Sequence, residues 1–277
     1  MKHLEGSFTG YGDASLYYQC WLPAGEPGAV LLVVHGLAEH SGRYMNLVNY
    51  FVPKGYAVYG FDQRGHGRSQ GRRGYVGRFR YFVSDLVTFL GIVRRRHNDA
   101  KILIVGHSMG GTVATACAVE HQDGFDGLIL SGVFLRVGAD VSWGLITIAR
   151  LLSLLLPQTG LYTIDASALS RDRAVVAAYV ADPLVYRGQV RARLGAELVK
   201  MVKILPSQIP RINLPILIMH GGADRLSPPE GSQILYERVG SKDKTLKLYR
   251  DFYHEIFNEP GNMQVFADME SWLAAHI

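Results

Sequence analysis

The chain has 277 residues, of which 48% are apolar and 19% charged, the make-up of one large globular domain or of a domain with an insertion. A chain this long buries most of its unfolded surface and needs no disulfide or metal to hold its core. Its two cysteines, Cys20 and Cys117, leave no disulfide framework and no CxxC metal or redox site. The formal charge of +5 is spread along the sequence apart from Arg94-Arg95-Arg96, which reads as a cationic helix end rather than a nucleic-acid patch.

In chain order, the first residues, Met1 to Gly6, lack the apolar core of a signal peptide, so a cytoplasmic protein is expected. Alternation over 15–21 predicts an antiparallel strand. Short continuous apolar runs follow at 29–34, 56–61, 101–105, 128–130 and 216–219, the pattern of strands buried on both faces. The run at 245–249 alternates more and belongs nearer a sheet edge. Helical stretches lie between, near 44–52, 81–95, 112–120, 229–238 and 263–275. Strand and helix alternate, which predicts an α/β fold with a mostly parallel sheet covered by helices on both sides.

The alternation breaks between 135 and 210, where no strand is evident. This predicts a helical cap inserted between a first part of the core, 1–134, and a second, 211–277. The stretch 141–157 is dense in Leu and Ile, but Arg150 interrupts it and Pro157 ends it short of ~20 apolar residues, so it makes a poor transmembrane helix. Three readings stand for it: a buried core helix, a lid lining an acyl channel, or an interfacial helix resting on lipid.

The chemistry concentrates at Gly106-His107-Ser108-Met109-Gly110. A β-branched strand precedes it and a helix of small residues follows, the strand–elbow–helix setting that exposes a nucleophilic serine. A serine hydroxyl needs a base in reach and a third group to orient that base, and in this setting the partners follow in the order Ser, acid, His. His254, just past the run 245–249 and the turn Arg250-Asp251-Phe252-Tyr253, is the candidate base. His35, His40 and His66 precede the serine, His107 is its neighbour, and His220 comes before the best acid. That acid is Asp224, presented by the turn His220-Gly221-Gly222-Ala223 after a strand; Asp243, Glu230 and Asp251 are less favourably placed. Oxyanion donors come from main-chain N–H groups, here Met109 after the serine and Leu37 in the loop 35–40. No metal is expected, since there is no HExxH and no histidine cluster, and no nucleotide or other cofactor: the glycine-rich 65–71 fits neither a dinucleotide fingerprint nor a P-loop, and reads as a connecting loop.

Taken together these segments resemble monoacylglycerol lipases and lysophospholipase-like serine hydrolases of the α/β-hydrolase superfamily. The resemblance runs nearly end to end, through His35-Gly36-Leu37-Ala38-Glu39-His40-Ser41-Gly42-Arg43-Tyr44, Asp62-Gln63-Arg64-Gly65-His66-Gly67-Arg68-Ser69, the elbow, Asp182-Pro183-Leu184, His220 to Leu226, and Tyr253 to Glu259. It implies an α/β-hydrolase fold with a helical cap and Ser108, Asp224 and His254 as triad. It further implies Leu37 and Met109 as oxyanion donors, Tyr179 near a glycerol head group, and Glu39 and Arg43 at the polar end of the pocket. The implied activity is hydrolysis of long-chain monoacylglycerols through an acyl-enzyme; a broader carboxylesterase or lysophospholipase, an acyltransferase and a non-catalytic lipid carrier are the alternatives. The expected partner is a small lipid ester, with transient contact between cap and membrane surface and no nucleic acid. Two departures stand out: the cap and the acid turn lack the cysteines of animal members, and Phe257 replaces a second histidine found in some relatives.

Overall fold

The computed structural model describes residues 1–138 and 143–277. The chain opens with β1 (Lys2–Thr9) and β2 (Ser15–Leu22), then β3 (Ala29–Val34), α1 (Met45–Phe51), β4 (Tyr56–Phe61) and α2 (Arg80–Arg96). It continues with β5 (Lys101–His107), α3 (Met109–His121), β6 (Gly127–Ser131), α4 (Trp143–Leu155), β7 (Gly160–Tyr162), α5 (Arg173–Ala181), β8 (Val190–Arg191) and α6 (Ala192–Gln208). The last elements are β9 (Ile216–Gly221), α7 (Glu230–Arg238), β10 (Lys244–Tyr249) and α8 (Asn262–Ala274). Eight strands form one sheet in the order β1-β2-β4-β3-β5-β6-β9-β10. The β1–β2 and β2–β4 pairings are antiparallel, and every pairing from β4 to β10 is parallel.

Successive side chains of a strand point to opposite faces, so each doubly apolar run feeds two cores at once. From β3, Val30, Leu32 and Val34 join a cluster with Phe82, Leu86 and Phe89 of α2 and Val113 and Cys117 of α3. Ala29, Leu31 and Val33 join the opposite cluster with Leu47 and Phe51 of α1 and Phe266 and Met269 of α8. Hence the continuous rather than alternating pattern in the sequence. The run at 245–249 is the outermost strand, β10, as its alternation predicted. The three arginines close the last turn of α2. Cys117 is buried, and burial pushes its thiol up to about 12.

The first strand was expected at 15–21 and none was named before it, yet β1 pairs with β2 along its whole length. Glu5-Gly6-Ser7 weakens its β signature, and a Cβ at Gly6 would press on the Tyr18 ring packed across from it. No strand was expected between 135 and 210 either, yet β7 and β8 pair antiparallel. At three and two residues they are too short to carry a period in the sequence. The start of the apolar stretch, Val141 and Ser142, lies outside the described residues; α4 and α6 account for much of the rest of the segment. Because β3, β4, β5, β6, β9 and β10 run parallel, the loops leaving their carboxyl ends gather along a single sheet edge, where α/β proteins bind ligands.

Candidate active site

Ser108 sits between β5 and α3 with φ 52° and ψ −120°, a conformation rare for a residue with a side chain. The turn is held from several sides. Ser108 N donates to Ser131 O at 3.0 Å, and Ser108 O accepts from Thr112 N at 3.1 Å and Phe134 N at 3.2 Å. Gly110 lies so close to Val34 O and His35 O that a Cβ would collide with both, which is what its place in the motif buys. Met109 opens α3, and the first N–H groups of a helix have no partner within it.

Asp224 and His254, from turns after β9 and β10, meet with Nδ1–H of the ring 2.6 Å from Oδ2 of the carboxylate. Oδ1 accepts from Leu226 N at 2.8 Å and Ser227 N at 2.9 Å. Burial opposes charge on Asp224, but the facing His254 and the hydrogen bonds from His220 and His254 outweigh it and hold the carboxyl well below its usual range. Burial likewise opposes a charged His254, yet the Asp224 charge and hydrogen bond, with Glu255 and Glu39 nearby, raise it above its ordinary 6.5. With Nδ1 committed to Asp224, Nε2 is the nitrogen available as a base. Gly132, at φ 55°, leaves room for this ring: a Cβ there would lie 3.3 Å from Nδ1. His107 packs against His254 at 4.7 Å between ring centroids, and burial pushes it down to about 4, so it stays neutral beside its neighbour. The competing acids are elsewhere: Glu230 and Asp251 are exposed, and Asp243 pairs with His276.

Sequence reading set His220 aside, and the structure brings it into the site. Its Nε2 lies 3.0 Å from Asp224 Oδ2. The available signal was its spacing, four residues before the acid across a glycine turn.

Leu37 lies in the loop after β3 and faces the same cavity as Ser108. Glu39 braces that loop: its carboxylate accepts from Gly36 N at 2.5 Å and Tyr44 Oη at 2.8 Å. Arg43 reaches Glu39 at 3.1 Å and grips both oxygens of Glu255, at 2.5 and 2.9 Å. Its guanidinium also lies 4.7 Å from the centre of the Tyr179 ring. Arg43 therefore ties the Leu37 loop to the residue after His254. Glu39 and Tyr179 line the cavity; Arg43 does not, and stands behind the wall. Just before the glycine-rich stretch, two residues brace the same region: Asp62 accepts from Ser41 N and Oγ, and Gln63 bonds His35 through both its main chain and its amide.

The cavity encloses about 280 Å³. Ser108, His254, Leu37 and Met109 line it together with Phe134, Leu161, Ile164, Leu169, Leu198 and Leu226, so most of its wall is apolar. Residues between 135 and 210 supply much of that wall and also grip both loops beneath. Tyr186 N donates to Ala38 O, His40 pairs with Asp182 at 2.8 Å, and Glu255 N donates to Leu169 O. On α4 and just after it, Ala149 lines the cavity, while Leu151, Leu154, Leu155 and Leu156 are 58–73% exposed. That exposure sets aside the buried core-helix reading for these four leucines. Among the described residues no helix is long and apolar enough to cross a membrane.

A mostly parallel sheet with a strained serine at its edge, and an aspartate-paired histidine lining the same cavity, is the arrangement of a serine hydrolase of the α/β-hydrolase fold. The chain belongs to the serine aminopeptidase S33 family (Hydrolase_4), which matches residues 25–261. It is 38% identical over 273 residues to the monoacylglycerol lipase of Mycolicibacterium smegmatis, covering 99% of this chain and 98% of that one. It is 35% identical over 265 residues to the monoglyceride lipase of Mus musculus, covering 95% and 88%. Among solved structures, Paleococcus ferrophilus monoacylglycerol lipase superposes with a TM-score of 0.82 at 29% identity, covering all of both chains.

Proposed function

We propose that this chain is a carboxylic ester hydrolase that cleaves long-chain monoacylglycerols to fatty acid and glycerol. The observation that carries the reading is the Asp224–His254 pair, joined at 2.6 Å, at the head of an apolar cavity that Ser108 also lines. Its small volume, just under the ~300–1,000 Å³ usual for ligand sites, suits one acyl tail rather than three. The close relatives that carry the name of this activity supply further support.

In this reading His254 Nε2 takes the Ser108 proton as Oγ bonds to the ester carbonyl carbon, and the carbonyl electron pair moves onto oxygen. The oxyanion is held by the Leu37 and Met109 N–H groups. Collapse breaks the ester C–O bond, and glycerol leaves with the proton from His254. Water, deprotonated by the same nitrogen, then attacks the acyl-enzyme; the fatty acid departs and Ser108 recovers its proton. Asp224 keeps the ring oriented and stabilises its charged form. Tyr179 and Glu39 meet the glycerol end, and Arg43 positions them from behind.

Residues 135–210 act as a cap over a core of 1–134 and 211–277. The exposed leucines of and after α4 give the cap a face for transient contact with a lipid surface, from which the substrate enters. The enzyme works in the cytoplasm, peripherally at membranes. Arg191 and Arg225 in the cavity wall favour one second reading, a lysophospholipase, because they could meet a phosphate. Rates on a long-chain monoacylglycerol, lysophosphatidylcholine and a short nitrophenyl ester decide: the proposal expects the monoacylglycerol to lead in kcat/KM, and a lead for lysophosphatidylcholine overturns it.

A further inference from the structure

We propose that His220 is a positioning residue of the hydrolytic machinery, donating from Nε2 to the same Asp224 oxygen that holds His254 and so fixing the carboxylate's orientation and charge. The inference rests on the triad reading above. His220 stands near the end of β9 with its ring wholly buried. Nε2 lies 3.0 Å from Asp224 Oδ2 and 2.9 Å from Ser227 O, two acceptors, while Nδ1 lies 2.6 Å from Ser232 Oγ. A neutral imidazole has one N–H, and a carboxylate and a carbonyl both require it at Nε2. The Nδ1 lone pair is then left to accept the Ser232 hydroxyl proton, so α7 fixes the tautomer that serves the acid.

The consequence is a filled carboxylate. Oδ1 takes two main-chain N–H groups and Oδ2 takes two ring N–H groups, and both Asp224 and His220 side chains are fully shielded from solvent. Rotation of the carboxylate would break several of these bonds at once, which fixes the direction in which His254 points Nε2. The His220 donor also draws charge from Oδ2. Without it the carboxylate holds the His254 proton more tightly, and the base becomes harder to free.

The test compares kcat/KM against pH, and kcat at its plateau, for wild type, His220→Gln and His220→Leu on one soluble monoacyl ester, with Ser108→Ala alongside. His220→Leu should lower kcat by roughly 10–100-fold, the scale of a misaligned catalytic group, with little change in KM. Its acid limb should move to higher pH by about half a unit. Glutamine carries an amide N–H near the position of Nε2, so His220→Gln should recover most of the rate and restore the limb. Wild-type kcat and acid limb in His220→Leu overturn the proposal. So do equal losses in both variants with an unmoved limb, which mark a purely structural role. Should His220→Leu fail to fold, Ser232→Ala takes its place: a several-fold fall in kcat with the same upward movement supports the proposal, and an unchanged profile overturns it. Persisting activity in Ser108→Ala brings down the triad reading itself and this inference with it, a result distinct from a normal Ser108→Ala loss beside an indifferent His220→Leu.

Discussion

Leucine behaves in two opposite ways in this molecule. In β3, Leu31 and Leu32 are wholly buried, one in each core, and the strand has no tolerance on either side. In α4 and just past it, Leu151, Leu154, Leu155 and Leu156 are mostly open to solvent over a cavity that the same segment helps to enclose. The sheet uses apolar surface to hold three loops in register, whereas the segment above leaves apolar surface uncovered. Soluble proteins seldom leave such a patch without a use, and in the proposed function that use is contact with lipid. The sheet supplies rigidity for chemistry; in the proposed function the overlying segment supplies affinity for an insoluble substrate.

The largest break in that comparison comes at the sheet edge. Ser108→Ala should lower kcat by ~10⁴–10⁶-fold on every ester tried while the protein unfolds at its usual temperature, because only the nucleophile is removed. Steady-state kinetics with a thermal melt check it, and retained turnover would remove the serine from the mechanism.

Leucine truncation sharpens the contrast at intermediate scale. Leu32→Ala should cost ~2–5 kcal/mol in denaturant unfolding, from lost transfer energy and the cavity left behind. Leu154→Ala should stay within about 0.5 kcal/mol. Replacing Leu151, Leu154 and Leu155 together by serine should instead weaken pelleting with lipid vesicles and slow long-chain turnover more than short-chain turnover. Equal loss on both substrates would contradict a lipid-facing role.

The smallest effect is in pH. His254 is raised above 6.5, and only its neutral ring can take the serine proton, so kcat/KM should fall as pH drops through a value higher than 6.5. The shift has the opposite sign for stability. The folded state holds the His254 proton more tightly than the unfolded state, so the protonated pair stabilises the fold fully below about pH 6.5 and loses that contribution as pH rises through the folded value. A rate profile with its acid limb at or below 6.5 would show that burial, not Asp224, governs the ring.

Much of this was legible before any coordinates. The doubly apolar runs at 29–34 and 216–219 gave β3 and the start of β9, because burial on both faces leaves no polar alternation to obscure. The elbow was legible because Gly110 faces a hard steric limit against Val34 O and His35 O. β1 was not, since Glu5-Gly6-Ser7 is a strand only with Tyr18 across from it. Arg43 was expected at the pocket's polar end and stands behind its wall, clasping Glu255 from a loop more than two hundred residues away. His220 was passed over for the same reason: chain order excludes it as the base and says nothing of what its other nitrogen touches.

Local sequence determined what depends on neighbours along the chain: the strand and helix periods, the strained serine turn, and the identity of an aspartate and a histidine at strand ends. Only the tertiary structure decided which distant groups share a carboxylate, that Arg43 joins two loops, and that Leu151, Leu154, Leu155 and Leu156 face outward. Those outcomes are set by where parallel strands bring their carboxyl ends and by which surfaces the packed sheet leaves uncovered, and a linear pattern records neither.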